Sequence, residues 1–210
     1  DLLPLVNLED YKDEMMELLA DMVDAGIITA ADYRMYFDKF LLEAKHLWRK
    51  QVIAEKKQSI QKAEAKKDED AGEADIDIVT VSSFDEEDET NDDLILYSRL
   101  LIPSIAENTA VKTFVTQLLQ SESKELKYDV MEVLLKNKQP VPDSLIHFFA
   151  AKEEYRYRLF NDLKQWNMEK LFPAKYRNQK DLAIAKLISF NENDKPDTIS
   201  FLKRYALTIG

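Results

Sequence analysis

Only three of the 210 residues are glycine, and that scarcity constrains the fold more than any other feature of the chain. Glycine ordinarily makes up about 7% of a protein and supplies the positive-φ positions of tight hairpin turns and phosphate-cradling loops. A loop-rich β fold or a Gly-rich nucleotide loop is therefore disfavoured. Helices joined by short links fit the composition. Cysteine is absent, which removes disulfide scaffolds, thiolate-ligated metal sites and thiol nucleophiles. No run of about 18 apolar residues is present to span a membrane.

The helical reading follows from the spacing of apolar residues. Met15, Leu18, Leu19, Met22 and Val23 share one face and stop before Gly26, where a left-handed C-terminal residue is wanted. From residue 30 to about 66, Tyr33, Tyr36, Phe37, Phe40, Leu41, Ala44, Leu47 and Trp48 form a second stripe that ends near Val52. Beyond it, Ala54 to Lys67 keeps good helix formers without an apolar face, so a solvated, fraying helix is expected. Further helices are predicted over Leu94 to Ile105, Thr109 to Leu119 and Lys124 to Leu135. A fresh start is predicted at Pro142-Asp143-Ser144, with Asp or Ser as the cap. Tyr155, Leu159, Phe160 and Leu163 carry another helix; Leu182, Ile184, Ala185, Leu187 and Ile188 carry one more; and a last one is predicted from about Asp197 to Tyr205.

Charge divides the chain. Thirteen of the forty acidic residues lie between Asp68 and Asp93, where there is no basic residue; the rest of the chain holds 27 acids against 29 bases, +2 of an overall -11. Such like-charge density is the composition of a segment that cannot bury enough surface to offset its ordering entropy. A mobile acidic insertion is expected there, with Asp75 to Val81 as one short β-branched strand. The organisation predicted is a helical hairpin over 1–67 with an extended basic second helix, the acidic insertion at 68–93, and a helical-repeat region over 94–210. The fold class is all-α, a solenoid-like stack of antiparallel helical hairpins. Tyr11 to Phe40 and Leu126 to Ala151 supply the two hairpins, with Ile28 and Val141 packing between their helices.

The segment LKYDVMEVLLKNKQPVPDSL, Leu126 to Leu145, resembles the A-helix, turn and start of the B-helix of a HEAT or armadillo-like repeat. Residues 90 to 205 are also similar to helical portions of large bacterial proteins of the Bacteroidetes type. The irregular repeat lengths and the acidic insertion depart from the HEAT pattern. The resemblance implies a scaffold or binding surface.

Catalytic and metal signatures are sparse. The two histidines, His46 and His147, stand about a hundred residues apart with no partner at ligand spacing, and no G-x-S-x-G or paired-histidine motif is present. The acidic runs lack the register of a twelve-residue calcium loop. No catalytic residue, metal ligand or cofactor is therefore assigned. The candidate interaction residues are Lys45, Arg49, Lys50, Lys56 and Lys57, a basic face, and Ile76, Ile78 and Val79, an acid-flanked apolar core resembling a SUMO-interacting motif beside Ser82-Ser83-Phe84-Asp85-Glu86. The basic face could meet phosphates, but an acidic segment tethered next to it competes for the same cations, which disfavours nucleic acid.

The chain begins at Asp1 without Met and shows no leader pattern, so a fragment or processed product is expected. The function expected is that of a non-catalytic protein-interaction or scaffold module of a larger protein, with an unspecified protein or peptide partner. The alternative is an accessory helical domain of an enzyme whose catalytic centre lies elsewhere. Composition fixes neither the compartment nor the oligomeric state.

Overall fold

The computed structural model describes residues 12–69 and 82–189, and every described element is helical. The α-helices are α1 (Lys12–Asp24), α2 (Phe37–Glu69), α3 (Ser82–Leu101), α4 (Thr109–Leu118), α5 (Lys124–Lys136), α6 (Asp143–Ala151), α7 (Glu153–Gln165) and α8 (Gln179–Ser189). Short 3₁₀ turns precede α2 (Arg34–Tyr36), follow α3 (Ile102–Ser104) and occupy the α7–α8 link (Glu169–Leu171 and Ala174–Tyr176). The chain forms two compact units, residues 1–137 and 138–210, so the region predicted over 94–210 is divided between them.

Local chemistry explains most helix ends. Past α1, Gly26 adopts φ +67 while the Ile27 amide donates to the Met22 carbonyl at 2.8 Å and the Gly26 amide to Val23 at 2.9 Å, closing the helix in a Schellman arrangement. Asn108 caps α4, its side-chain oxygen accepting from the amides of Ala110 and Val111 at 3.0 and 3.2 Å. Ser123 caps α5 by accepting from the Leu126 amide at 3.2 Å. The start of α6 differs from the expected Asp or Ser cap. Pro142 itself is the flanking residue, with no side-chain cap, and Asp143 is the first helical residue. Proline's fixed φ serves there, and the Asp143 carboxylate sits in the first turn, where the helix dipole favours it.

In the first unit α3 is the hub. It packs against α1, α2 and α5, and α2 packs against the 3₁₀ turn before it and against α4. Its buried residues Leu94, Tyr97, Leu100 and Leu101 face a core built from Met16, Tyr33, Tyr36, Phe40, Val111, Phe114, Leu118, Val130 and Leu134. Tyr33 and Phe37 meet edge to face at 5.3 Å, Tyr36 stacks on Phe40 at 6.0 Å, and Phe40 lies 6.2 Å from Tyr97. Such ring pairs add specific geometry to the burial of large apolar area. The Tyr33 hydroxyl donates to the Leu100 carbonyl at 2.9 Å, which satisfies a polar atom in a fully buried side chain.

Two features differ from the sequence-based expectation. The principal partner of α1 is α3, not its neighbour α2; Arg99 on α3 ties the end of α1 through Asp21 at 2.5 Å and Asp24 at 2.9 Å. The main packing of α1 is thus with a helix distant in sequence and not within the pair expected as a hairpin. Helix also occupies both ends of the expected acidic insertion, since α2 runs through Glu69 and α3 begins at Ser82 and takes in Asp85 to Asp93. Glutamate is a good helix former, and extending an established helix costs far less than nucleating one, so the packed half of α3 carries its acidic half. The strand expected over Asp75 to Val81 and the helix expected from Asp197 to Tyr205 lie outside the described residues.

In the second unit α7 packs against both α6 and α8. Phe149 is fully buried and contacts Phe148 at 5.1 Å and Tyr155 at 5.0 Å, while Phe160 meets Phe172 at 5.2 Å. Arg156 is buried among them. Its guanidinium donates to the carbonyls of Ala150 and Ala151 at 2.7 and 2.9 Å and lies 5.0 Å from the ring centre of Tyr176. A buried cation is thereby placed on the orphan carbonyls at the end of α6.

Candidate functional site

Helix α2 buries one side against the core and leaves another to solvent. Phe40, Leu41, Ala44, Gln51 and Glu55 face inward. On the outer side Leu42 is 70% exposed, Ile53 55% and Ile60 58%. At 3.6 residues per turn, the intervals from Leu42 to Ile53 and from Ile53 to Ile60 are about three and about two turns, so the three side chains align in one seam about 27 Å long. Arg49 falls within the seam, and Lys45, Lys50, Lys56 and Lys57 flank it; all but the half-buried Lys45 are exposed. The five cations predicted as an interaction face are thus brought onto one exposed surface. Between residues 42 and 60 the acids are Glu43 and Glu55, and both are engaged by other parts of the fold.

Glu43 stands in a cleft of about 510 Å³ at the junction of α1, α2 and α3. Lys12, Asp13 and Met16 line it from α1; Leu42, Glu43, Lys45, His46, Leu47 and Arg49 from α2; Asp93, Leu96 and Tyr97 from α3. Lys12 Nζ approaches Glu43 Oε2 at 2.7 Å, and the Tyr97 hydroxyl donates a short hydrogen bond to the same oxygen. Partial burial works against the charged form of Glu43, but the hydrogen bonds from Lys12 and Tyr97 and the charges of Lys12 and Lys39 outweigh it, holding the carboxyl below its ordinary value. Burial, reinforced by the hydrogen bond to Glu43 and by nearby carboxylates, pushes the Tyr97 phenol well above its ordinary value. Glu43 is an ionised carboxylate and Tyr97 a protonated donor at neutral pH.

Met16, Leu47 and Leu96 contribute apolar surface to the cleft, and the charges are mixed, Lys12, Lys45 and Arg49 against Asp13, Glu43 and Asp93. None of the lining residues is Ser, Thr or Cys. His46 is exposed beside the cleft and His147 is exposed on α6. Among the described residues no group of three or more His, Asp or Glu side chains is placed to hold a metal ion, and no helix is long and apolar enough to cross a membrane.

Of the other predicted interaction residues, Ile76, Ile78 and Val79 lie outside the described residues, and Ser82, Ser83 and Phe84 open α3. Sequence reasoning missed Leu42, Ile53 and Ile60. The signal was present as intervals of eleven and seven residues, but it passes through a basic stretch that reads as a solvated face. No family model, curated protein or solved structure matches the chain.

Proposed function

We propose that the chain is a non-catalytic protein-interaction module that docks a partner on the outer face of α2. The observation that carries this reading is the aligned, solvent-facing seam of Leu42, Ile53 and Ile60 beside the cleft at the α1–α2–α3 junction. Scattered exposed apolar residues are normal on a protein surface, whereas an ordered apolar row rimmed by charge is the usual mark of a binding surface. Helices α3 and α4 pack against α2, and partner docking onto a rigid element loses less conformational entropy than docking onto a loop. A scaffold role fits the same surface, since a scaffold acts by presenting such faces.

A displayed library of helical peptides, selected against the purified chain and counter-selected against the Ile53→Glu variant, tests the proposal. Enrichment of peptides that bind the unmodified chain and lose binding to the variant is expected. Failure to enrich any peptide, or enrichment equal for chain and variant, would remove the interaction reading.

A further inference from the structure

Resting on the interaction reading above, we infer that the partner segment is an acidic amphipathic helix, laid along α2 with one apolar side chain seated in the cleft beside Leu42. Three observations converge on that occupant.

The first is width. Leu42, Ile53 and Ile60 fall within about 20° of one another around the helix axis, with Arg49 between them. A row this narrow matches the seam by which one helix meets another, whereas a helix lying in a bilayer interface buries a broad apolar face. The second is charge. Lys45, Arg49, Lys50, Lys56 and Lys57 surround the seam; of the acids between residues 42 and 60, Glu43 is engaged by Lys12 and Tyr97 and Glu55 by Ser121, and Asp13 and Asp93 stand in the cleft at the N-terminal end only. A second copy of the same face would set five cations against five, so this face repels itself and selects carboxylates; the chain's own acidic stretch competes for those cations, and the apolar seam is what an acidic helix gains over it. The third is relief. The cleft of about 510 Å³ opens at the N-terminal end of the seam and shares Leu42 and Arg49 with it. A side chain projecting from a helix can enter such a recess, which a planar membrane surface leaves empty. Phosphates of a nucleic acid would use the cations but gain nothing from Leu42, Ile53 and Ile60.

Specificity then follows from the alternation along the groove. Apolar residues of the partner, recurring every three or four positions, pack on the seam, and flanking Glu or Asp side chains meet Lys45 at one end, Arg49 and Lys50 in the middle and Lys56 and Lys57 toward the other end. Charge steers the encounter and sets orientation, and apolar contact supplies most of the affinity.

Fluorescence anisotropy with three labelled helical peptides of about 20 residues tests this, the length being set by the rise of the seam. One carries a Leu seam flanked by Glu, one the same seam flanked by Lys, and one the Glu flanks with Ser in the seam. The Glu–Leu peptide is expected to bind at least about tenfold more tightly than the other two, a difference that shrinks between about 0.05 and 0.5 M salt. Ile53→Glu is expected to abolish binding, with Ile53→Ser as the milder companion and circular dichroism confirming that each variant is folded. The double variant Arg49→Glu, Lys56→Glu is expected to invert the preference, so that the Lys-flanked peptide binds better. Equal binding of Glu- and Lys-flanked peptides would overturn the inference, as would binding insensitive to Ile53→Ser. Association of the chain with phosphatidylcholine–phosphatidylserine vesicles, without binding of the Glu–Leu peptide, would also overturn it. Library selection of seam-dependent peptides with no acidic bias would defeat the acidic partner while leaving the interaction reading intact; a library that yields nothing defeats both.

Discussion

Ser121 in the turn between α4 and α5 donates a short hydrogen bond to Glu55 on α2, and both side chains are buried. The same carboxylate oxygen accepts weakly from the Ser123 amide at 3.4 Å, and the Ser121 hydroxyl also accepts from that amide at 3.0 Å. Ser123 is the capping residue of α5, so a negative charge from α2 lies at the positive end of another helix. This contact lies inside α2 at the level of the exposed seam and joins α2 to the body of the unit. Removing one partner of a buried charged hydrogen bond leaves the other unsatisfied, which costs about 1–3 kcal/mol. Glu55→Ala is expected to lower stability by that amount in urea melts. Glu55→Gln, which keeps a neutral acceptor, is expected to lose less, and equal losses would show that the contact depends on the carboxylate charge.

The tyrosines predict the alkaline limit of stability. Burial raises the phenol of Tyr33 above its ordinary value, with the charges of Asp24 and Asp32 adding to it; burial and the Glu43 hydrogen bond do the same for Tyr97. In the unfolded chain both ionise near pH 10. Above that pH the folded state holds protons that the unfolded state has released, so stability is intact below about pH 10 and falls as pH rises further. Unfolding midpoints measured from pH 8 to 11 are expected to be flat and then to decline. The decline should be shallower in Tyr97→Phe, whose own baseline is lower by about 1 kcal/mol for the lost hydrogen bond. A midpoint that stays constant to pH 11 would contradict this.

In the second unit, Arg156 gives a sharper test of side-chain geometry. It is buried, donates to two successive carbonyls at the end of α6 and lies against Tyr176. A planar fork can serve both carbonyls and a ring together, and an ammonium cannot. Arg156→Lys is expected to destabilise this unit by about 1–2 kcal/mol, the scale of a lost charge-assisted hydrogen bond. Backbone amide exchange should rise in α6 and α7. Unchanged protection there would mean that charge alone suffices.

Local features of this fold were legible from sequence because their causes are local. The stripe from Tyr33 to Ala44 repeats at the helical period and is the core face of α2 and its leading turn; the helices expected from Thr109 and Lys124 begin at those residues. What escaped depends on distant partners. The pairing of α1 with α3 rests on Arg99 reaching Asp21 and Asp24, more than seventy positions away. The acidic start of α3 reads as a segment too charged to order when taken alone, yet it continues a helix whose far half is anchored by Leu94, Tyr97 and Leu101. The basic residues of the candidate face were legible as a charge run, whereas Leu42 stands beside the buried stripe and Ile53 and Ile60 lie past its end. Only the orientation of α2 against α3 separates the inward Leu41 from the outward Leu42.

Gly26 closes α1 in the left-handed region at φ +67, and nothing lies within 4 Å of where a Cβ would be. A substitution there meets no steric obstacle, so its cost is the backbone conformation alone, about 1–2 kcal/mol for an L residue with a Cβ. Gly26→Ala is expected to lose about that much, and Gly26→Asn less, because Asn tolerates this conformation better than other residues. The effect should act through α1. The helix must end here for Thr29 and Asp32 to form the turn that leads into Tyr33, with the Thr29 amide and hydroxyl donating to the Asp32 carboxylate at 2.7 and 2.9 Å. Those bonds hold the Asp32 carboxyl below its ordinary value. If α1 instead extends past Gly26 in the Ala variant, this turn opens and the Asp32 titration seen by NMR moves up toward that value. If the turn holds, stability falls while the Asp32 titration stays in place. Observing neither the loss of stability nor the shift would refute the role assigned to this glycine.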